Sequence, residues 1–344
     1  MVLYIYPIET AFTRRDIEML TPYIKVKPLR FTNNPFALPF YFVIQVFQLI
    51  WFLPKTSHYL CFFGGYHTVL PTVFGRIFNI PTYIQSGGMD AMNLPAIGYG
   101  NFRKKWLRKA TVFSFRHCSL ILPVAESLVK NDYTYDKQHP RKQGLLNLIP
   151  GLKTPIQVVA NGFDDSFWTD EVHDKEPFSF ATVATGISKE SRMLIKGLDL
   201  IIRLAEIFPR YSFHIIGDEN FSPVASNVKI HGRLSGPELK KILQKMQFYL
   251  QLSASEGFPN ALAEAMLCGC IPIGSAVGAI PEIIGDSGFV LREKSLEDLK
   301  KIFLGLPNQD LKILRKKARS RIVSQYHYQK RQRALLRLFQ IEIQ

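Results

Sequence analysis

Strand and helix signals alternate along the whole of this chain, and that alternation constrains its fold more than any other feature. In the first half, short apolar runs at 2–6, 24–29, 58–63, 82–85, 119–124 and 156–159 are separated by helical patterns at 14–23, 40–53, 68–78 and 101–117. The second half repeats the arrangement, with runs at 179–184, 211–216, 228–231, 248–252, 271–275 and 288–291 and helical patterns at 197–207, 237–246, 260–268 and 296–304. Continuous apolar strands joined through helices form parallel sheets covered on both faces. A turn-rich break at 160–165 and a polar, acidic stretch at 166–177 divide the two series. The expectation is therefore α/β: two doubly wound domains facing each other across a cleft, with ligands outside the carboxyl ends of the strands.

Composition narrows the class. An apolar fraction of 47% rules out disorder, and four Cys in 344 residues rule out a disulfide scaffold. Cys268-Gly269-Cys270 is too tightly spaced for a zinc pair. The net charge of +15 calls for an anionic partner: nucleic acid, a membrane surface or a phosphorylated substrate. Residues 35–54 carry no charge but contain three prolines, which favours a buried or membrane-grazing helix over a full span. The pattern at 101–117 mixes Arg103, Lys104, Lys105, Arg108, Lys109 and Arg116 with Trp106, Val112, Phe113 and Phe115, as interfacial helices do. Farther on, Arg315, Lys316, Lys317, Arg319, Arg321, Lys330, Arg331 and Arg333 read as a solvated face.

The most informative stretch is 252–291. A strand ends near Leu252, a loop Glu256-Gly257-Phe258-Pro259-Asn260 follows, and a helix opens near Asn260, a good N-cap residue. The free amides of that helix start form an anion site. Glu256 and Glu264, eight positions apart, are placed to accept hydrogen bonds from the hydroxyls of a sugar or ribose. This stretch resembles the donor-binding segment of the retaining GT-B glycosyltransferases of family 4, the group 1 glycosyl transferases. Carrying the resemblance are the two-Glu spacing, Gly257-Phe258-Pro259, Glu264-Ala265-Met266 with Gly269, and Gly278-Ala279-Ile280-Pro281-Glu282. Lys196-Gly197-Leu198-Asp199 and Ala160-Asn161-Gly162-Phe163-Asp164 are similar to further turns of that family.

The resemblance implies a GT-B fold with two Rossmann-like domains. These are an acceptor domain at 1–165, a nucleotide-sugar domain at 166–325, and a C-terminal helix at 326–344 crossing back to the first domain. It implies a hexosyltransferase-type enzyme that moves a sugar from a UDP- or GDP-linked donor to a hydroxyl acceptor with retention, with the nucleotide sugar as co-substrate and no separate cofactor. Lys196, with Arg192, is implied to hold the diphosphate; Glu256 the transferred sugar; Gly257, Phe258, Pro259 and Asn260 the phosphate-facing loop; and Glu264 the ribose. Catalytic roles fall to Glu256, Lys196 and Asp90. Asp90 is kept from a His-Gly-x-Asp pattern of the family whose His position is Gly87 here. Gly65, His67 and Gly88 are acceptor-side candidates. No Asp-x-Asp occurs in the chain, so no metal ligand is assigned and the diphosphate is expected on cations and helix amides.

Residues 1–165 hold 18 basic and 9 acidic groups, so the excess leans towards the acceptor domain. The expected partners are a lipid-linked or cell-envelope glycan and an anionic membrane surface, with no nucleic acid. The expected place is the cytoplasm, peripherally on the inner membrane face. Rival readings are a nucleotide-sugar epimerase of the same fold, a basic nucleic-acid-binding protein, and, last, a dinucleotide oxidoreductase. The last lacks Gly-x-Gly-x-x-Gly after either first strand.

Overall fold

The computed structural model describes residues 1–172, 174–220 and 225–341; residue 173 of the polar stretch and 342–344 of the C-terminal segment lie outside the described residues. The chain forms two compact units. Unit 1 holds Met1–Asp132, Pro140–Ala160 and the chain from Gln329 onward; unit 2 holds Tyr133–His139 and Asn161–Tyr328.

Unit 1 is built on a parallel sheet of β1 (Val2–Tyr6), β2 (Val26–Arg30), β3 (His58–Phe62), β4 (Thr82–Ser86) and β5 (Leu120–Pro123), in the order β2-β1-β3-β4-β5. All five residues of β1 are buried, as a strand covered on both faces requires. The edge strand β2 is Val-Lys-Pro-Leu-Arg, and its proline and exposed charges blunt the edge. It begins two residues later than expected because the chain continues helical turns through Tyr23 and Ile24, whose amides reach Leu20 O. The first helix, α1 (Ala11–Leu20), starts earlier than its apolar pattern suggested because Thr10 and Thr13 form a reciprocal cap. The sixth strand expected at 156–159 is not a regular strand. Ile156 bridges Ile121, with Ile121 N donating to Pro155 O and Gln157 N to Ile121 O; Val159 N then donates to Pro123 O, but Pro123 has no N–H to return a bond, so the ladder beside β5 goes no further.

The strand order decides where the helices go. A right-handed crossover from β1 to β2 runs one way, and those through α2 (Leu38–Phe52), α3 (Val69–Ile77) and α4 (Lys105–His117) run the other. The three therefore share one face of the sheet, where α2 packs on α3 and α3 on α4. The pattern at 101–117 is broken at Lys104, which is extended. Asn101 before it is drawn into the core by bonds from its Nδ2 to Gly64 O (2.8 Å) and Thr111 Oγ1 (3.3 Å).

Unit 2 holds a six-stranded parallel sheet of β6 (Glu176–Val183), β7 (Ser212–Ile216), β8 (Val228–His231), β9 (Met246–Gln251), β10 (Ile271–Ser275) and β11 (Phe289–Leu291), in the order β8-β7-β6-β9-β10-β11, with α5 (Leu198–Ile207) joining β6 to β7 and α6 (Gly236–Lys245) joining β8 to β9. Its core centres on Phe180, whose ring stacks on Phe213, Phe248 and Phe303 at 5.1, 4.8 and 4.7 Å. The four cysteines are free and buried.

The C-terminal arginines correct the sequence reading. Arg315 grips Asp170 with Nε at 2.7 Å and Nη2 at 2.6 Å. Arg319 donates to the carbonyls of Asp165, Trp168 and Leu267, and Arg321 to those of Glu282 and Ile283. Helix Leu311–Gln325 thereby ties down the polar stretch after residue 165, and these three are structural clamps rather than a solvated face. Arg331, on helix Tyr328–Leu338, is 3% exposed and pairs with the buried Asp16.

Candidate functional site

The site grows from the carboxyl ends of β6 and β9. A cavity of about 270 Å³ there is lined by Val183, Thr185, Lys196, Gln251, Glu256 and the start of α7 (Asn260–Leu267). Gly197, at φ +68°, presses the Lys196 turn so close to Leu252 that an added Cβ would lie 2.0 Å from Leu252 O. Gly278, at φ +57°, closes on Glu256 O in the same way from the other side. The loop between is fixed bond by bond. Ser275 Oγ donates to Ser253 O at 2.6 Å, Tyr133 Oη to Ala254 O at 2.8 Å, and Ala279 N to Gly257 O at 3.0 Å.

Held by that loop, Glu256 accepts three hydrogen bonds on one oxygen. Its Oε1 receives Lys196 Nζ at 2.7 Å, Ser253 Oγ at 3.0 Å and Gln251 Nε2 at 3.2 Å. The Lys196 and Glu256 side chains are 25% and 15% exposed, so the pair is accessible from the cavity. An ammonium and a carboxylate at the edge of one polar cavity can divide an incoming ligand between them. The cation draws an anionic group, and the carboxylate accepts from hydroxyls.

The sequence-expected donor residues separate here. Lys196, Glu256, Phe258, Pro259 and Asn260 line one cavity. Asn260 is not the helix cap. Pro259 occupies that position with no side-chain cap bond, while Asn260 Oδ1 accepts from Asn161 Nδ2 at 2.7 Å. The first amides of α7 are therefore left for a ligand, and Asn260 and Ala261 stand at the cavity wall. Phe258 stacks on Phe163 at 5.8 Å and meets the edge of Tyr326 at 5.1 Å, which anchors the loop. Glu264 is buried one turn farther along the same helix face as Asn260 and Ala261, behind the residues that line the cavity wall. Gly257 supplies its carbonyl to Ala279 rather than a surface to the cavity. Arg192 is exposed on the short helix Glu190–Ile195, and its carbonyl receives the Lys196 amide at 3.0 Å. Sequence reasoning missed Gln251 and Ser253. Polar residues just where an apolar strand runs out were the signal.

The four first-unit candidates form a knot of loops. Asp90 is fully buried, which pushes its carboxyl upward. Its Oδ2 accepts from Gly64 N at 2.8 Å, and its Oδ1 from Ser86 Oγ at 3.0 Å and from the amides of Gly87 and Gly88 at 3.2 Å. A carboxylate so enclosed ties the loops after β3 and β4 together. Its oxygens are engaged away from solvent. Gly88 contributes its amide to that tie, and Gly65 N donates to Thr68 Oγ1 at 3.2 Å. His67 is buried, with Nε2 2.9 Å from Phe62 O, and burial depresses its pKa to about 4. It is a neutral structural imidazole.

That depression has a consequence for stability. The unfolded imidazole takes its proton near pH 6.5 and the folded one only near 4. The stabilisation is fully present above 6.5 and lost as pH falls through that window, at up to about 1.4 kcal/mol per pH unit. Denaturant titrations between pH 7 and 5 are expected to show the decline, and His67→Gln is expected to make it shallower, with His214, also lowered to about 4, keeping part of the slope. An unchanged slope in that variant would assign the effect elsewhere.

Known proteins share both the site-bearing segment and the fold. Residues 181–307 match the family model of the group 1 glycosyl transferases. The chain is 25% identical over 156 residues to a human subunit of phosphatidylinositol N-acetylglucosaminyltransferase, a match covering 42% of this chain and 32% of that protein. It thus spans between a quarter and a third of the length of the curated relatives it matches. Among solved structures, sucrose-phosphate synthase of Thermosynechococcus elongatus superposes with a TM-score of 0.75 at 12% identity, over 98% of both chains. HepE of Anabaena, solved in complex with UDP, superposes with a TM-score of 0.69 at 12% identity, over 98% of this chain and 99% of HepE. The chain has the GT-B fold, and its residues 181–307 are similar to the group 1 glycosyl transferases.

Proposed function

We propose that the protein is a retaining, family 4 hexosyltransferase that moves a sugar from a UDP- or GDP-linked donor to a hydroxyl of a lipid-linked or cell-envelope glycan. The observation that carries this reading is the Lys196–Glu256 pair beside the uncapped start of α7. When the bond from sugar to diphosphate breaks, negative charge develops on the leaving group. Lys196 and the α7 amides neutralise it in place, while Glu256 holds hydroxyls of the transferred sugar. Gln251 and Ser253 keep the Glu256 carboxylate aimed as Lys196 turns to the diphosphate. Asp90 acts at one remove, as a positioning residue for two loops of unit 1. In this reading the cations take the place of a divalent metal, so transfer survives EDTA. HepE with UDP supports a uridine donor, and the human relative's name supports a lipid-borne acceptor.

The reading places the enzyme on the inner face of a membrane. Pro35–Lys55 is a 21-residue helix, by length and composition able to cross a bilayer, and only 11% of its apolar window is buried. Its pattern is inside out. Gln45 is buried, donating to His67 O at 2.9 Å, whereas Phe40, Val43, Phe47, Ile50 and Trp51 are exposed at helical spacing. A contiguous apolar stripe of this kind marks a membrane or partner surface.

The test is a thermal-shift screen of UDP- and GDP-sugars, followed by transfer assays with NMR of the product. A stabilising donor whose shift vanishes in Lys196→Ala, and a product that keeps the donor's anomeric configuration, are expected. An inverted product would end the retaining assignment. An isomerised donor formed without acceptor would favour an epimerase.

A further inference from the structure

A second cavity, of about 670 Å³, lies in unit 1 along one face of α4. Lys105, Arg108, Lys109, Val112, Phe113 and Arg116 recur at helical spacing and all line it. The facing wall is Leu148, Ile149 and Pro150, and Arg116 Nη2 donates across to Pro150 O at 3.1 Å. This is not the helix's core face. Thr111, Ser114 and Phe115 occupy that one, where Ser114 Oγ accepts from Thr68 Oγ1 at 2.8 Å. With Arg103, five cations border the groove, and no carboxylate is among the described residues that line it. Beside it stands Trp106, exposed, with the Lys109 ammonium 4.8 Å from its ring centre.

Uncompensated cations attract an anion. A free ion, however, has no use for the apolar middle formed by Val112, Phe113, Leu148 and Ile149. Nucleic acid would use the cations and leave the same wall bare. An anionic amphiphile satisfies both, with phosphate on the cations and hydrocarbon on the wall. The source is near, since α2, with its outward phenylalanines, lies in the same helical layer through α3.

We propose that this groove binds the phosphate-bearing head and first methylenes of an anionic lipid. Its role in catalysis rests on the transfer reading above, in which it holds the lipid-linked acceptor.

The test is calorimetric titration of the full chain with dihexanoyl phosphatidic acid below its micelle concentration, with inorganic phosphate, and with a DNA duplex. Saturable lipid binding is expected, at least ten-fold tighter than phosphate. A ten-fold loss is expected in Arg108→Glu/Lys109→Glu and also in Val112→Trp, which fills the wall, with melting curves reporting that each variant folds. Lys104→Glu, equal in charge change per site but outside the lining, should leave binding within two-fold. No saturable lipid binding overturns the proposal. So does an equal loss in Lys104→Glu, phosphate binding as tightly as lipid, or a duplex displacing the lipid at similar affinity. Nucleotide binding is read on the same samples. UDP or GDP binding without lipid binding rejects the groove and leaves the transfer reading standing. Lipid binding by a chain that transfers to no lipid acceptor does the reverse.

Discussion

Replacing Lys196 with alanine should lower kcat/KM for sugar transfer by a factor of about 10²–10³, the cost typical of removing one fixed donor to a developing anion. The same variant should melt within a few degrees of the parent, because the Lys196–Glu256 pair is partly exposed and such pairs contribute little to stability. Its effect separates from that of Glu256→Gln. Without Lys196, Glu256 keeps Ser253 and Gln251 as donors and stays in place, so the deficit falls on the diphosphate and nucleoside diphosphate affinity drops. Without the Glu256 charge, Lys196 is released to the diphosphate, so nucleotide affinity holds or improves while turnover collapses. Near-normal turnover in either variant would count decisively against the assignment. Parallel losses of nucleotide affinity in both would show that the two act as one structural pair.

How much of this was legible beforehand depends on the range of the interaction. Central strands were readable because burial on both faces writes itself as an unbroken apolar run, as in Val2–Tyr6 and Ile271–Ser275. Edges and ends were read less well. The Thr10–Thr13 cap moved α1, and Pro123, with no N–H to give, left 156–159 as a bridge rather than a strand. In the site, the order of Lys196, Glu256 and the Gly-Phe-Pro loop pointed to the right strand ends. What could not be read was which side chains meet. Lys196 and Glu256, 60 positions apart, were given separate ligands and instead bond directly. Glu264 looked equivalent to Glu256 along the sequence, but it sits one turn into the helix beyond Asn260 and Ala261, on the same face and buried, where strand-end loop residues such as Glu256 stay partly open. Asp90 took its role from the family's His-Gly-x-Asp pattern, and no local pattern could show that the amides of Gly64, Gly87 and Gly88 converge on its carboxylate. The arginines were misread for the same reason. Asp170 and Asp16 lie 145 and 315 positions from their partners, beyond any pattern of local spacing.

The longest of those pairings should also carry the largest stability effect. Arg331 and Asp16 have side chains 2% and 1% exposed, with Nε–Oδ1 at 2.7 Å and Nη2–Oδ2 at 2.8 Å. Tyr4 Oη and Gln85 Nε2 complete the acceptor sites of Asp16 at 3.2 and 2.7 Å, and Arg331 Nη1 reaches the carbonyls of Val159 and Ala160. The guanidinium also lies over the Phe12 ring at 4.5 Å. Arg331→Ala would strand a buried carboxylate and two carbonyls at once, so a loss of about 3–5 kcal/mol is expected. In a unit of this size that corresponds to a fall of roughly 6–20 °C in the melting of unit 1. Arg331→Lys should recover less than half, because an ammonium cannot reproduce the two-pronged grip. The paired change Arg331→Met with Asp16→Leu should be milder than Arg331→Ala, since it strands no charge. The exposed Arg333→Ala, the same charge change two residues along, should stay within about 0.5 kcal/mol of the parent. If Arg331→Ala and Arg333→Ala melted alike, the buried pair would not be what fastens the C-terminal helix to unit 1. If the double change were as damaging as Arg331→Ala, the loss would lie in packing and in the Val159 and Ala160 carbonyls rather than in the unpaired Asp16.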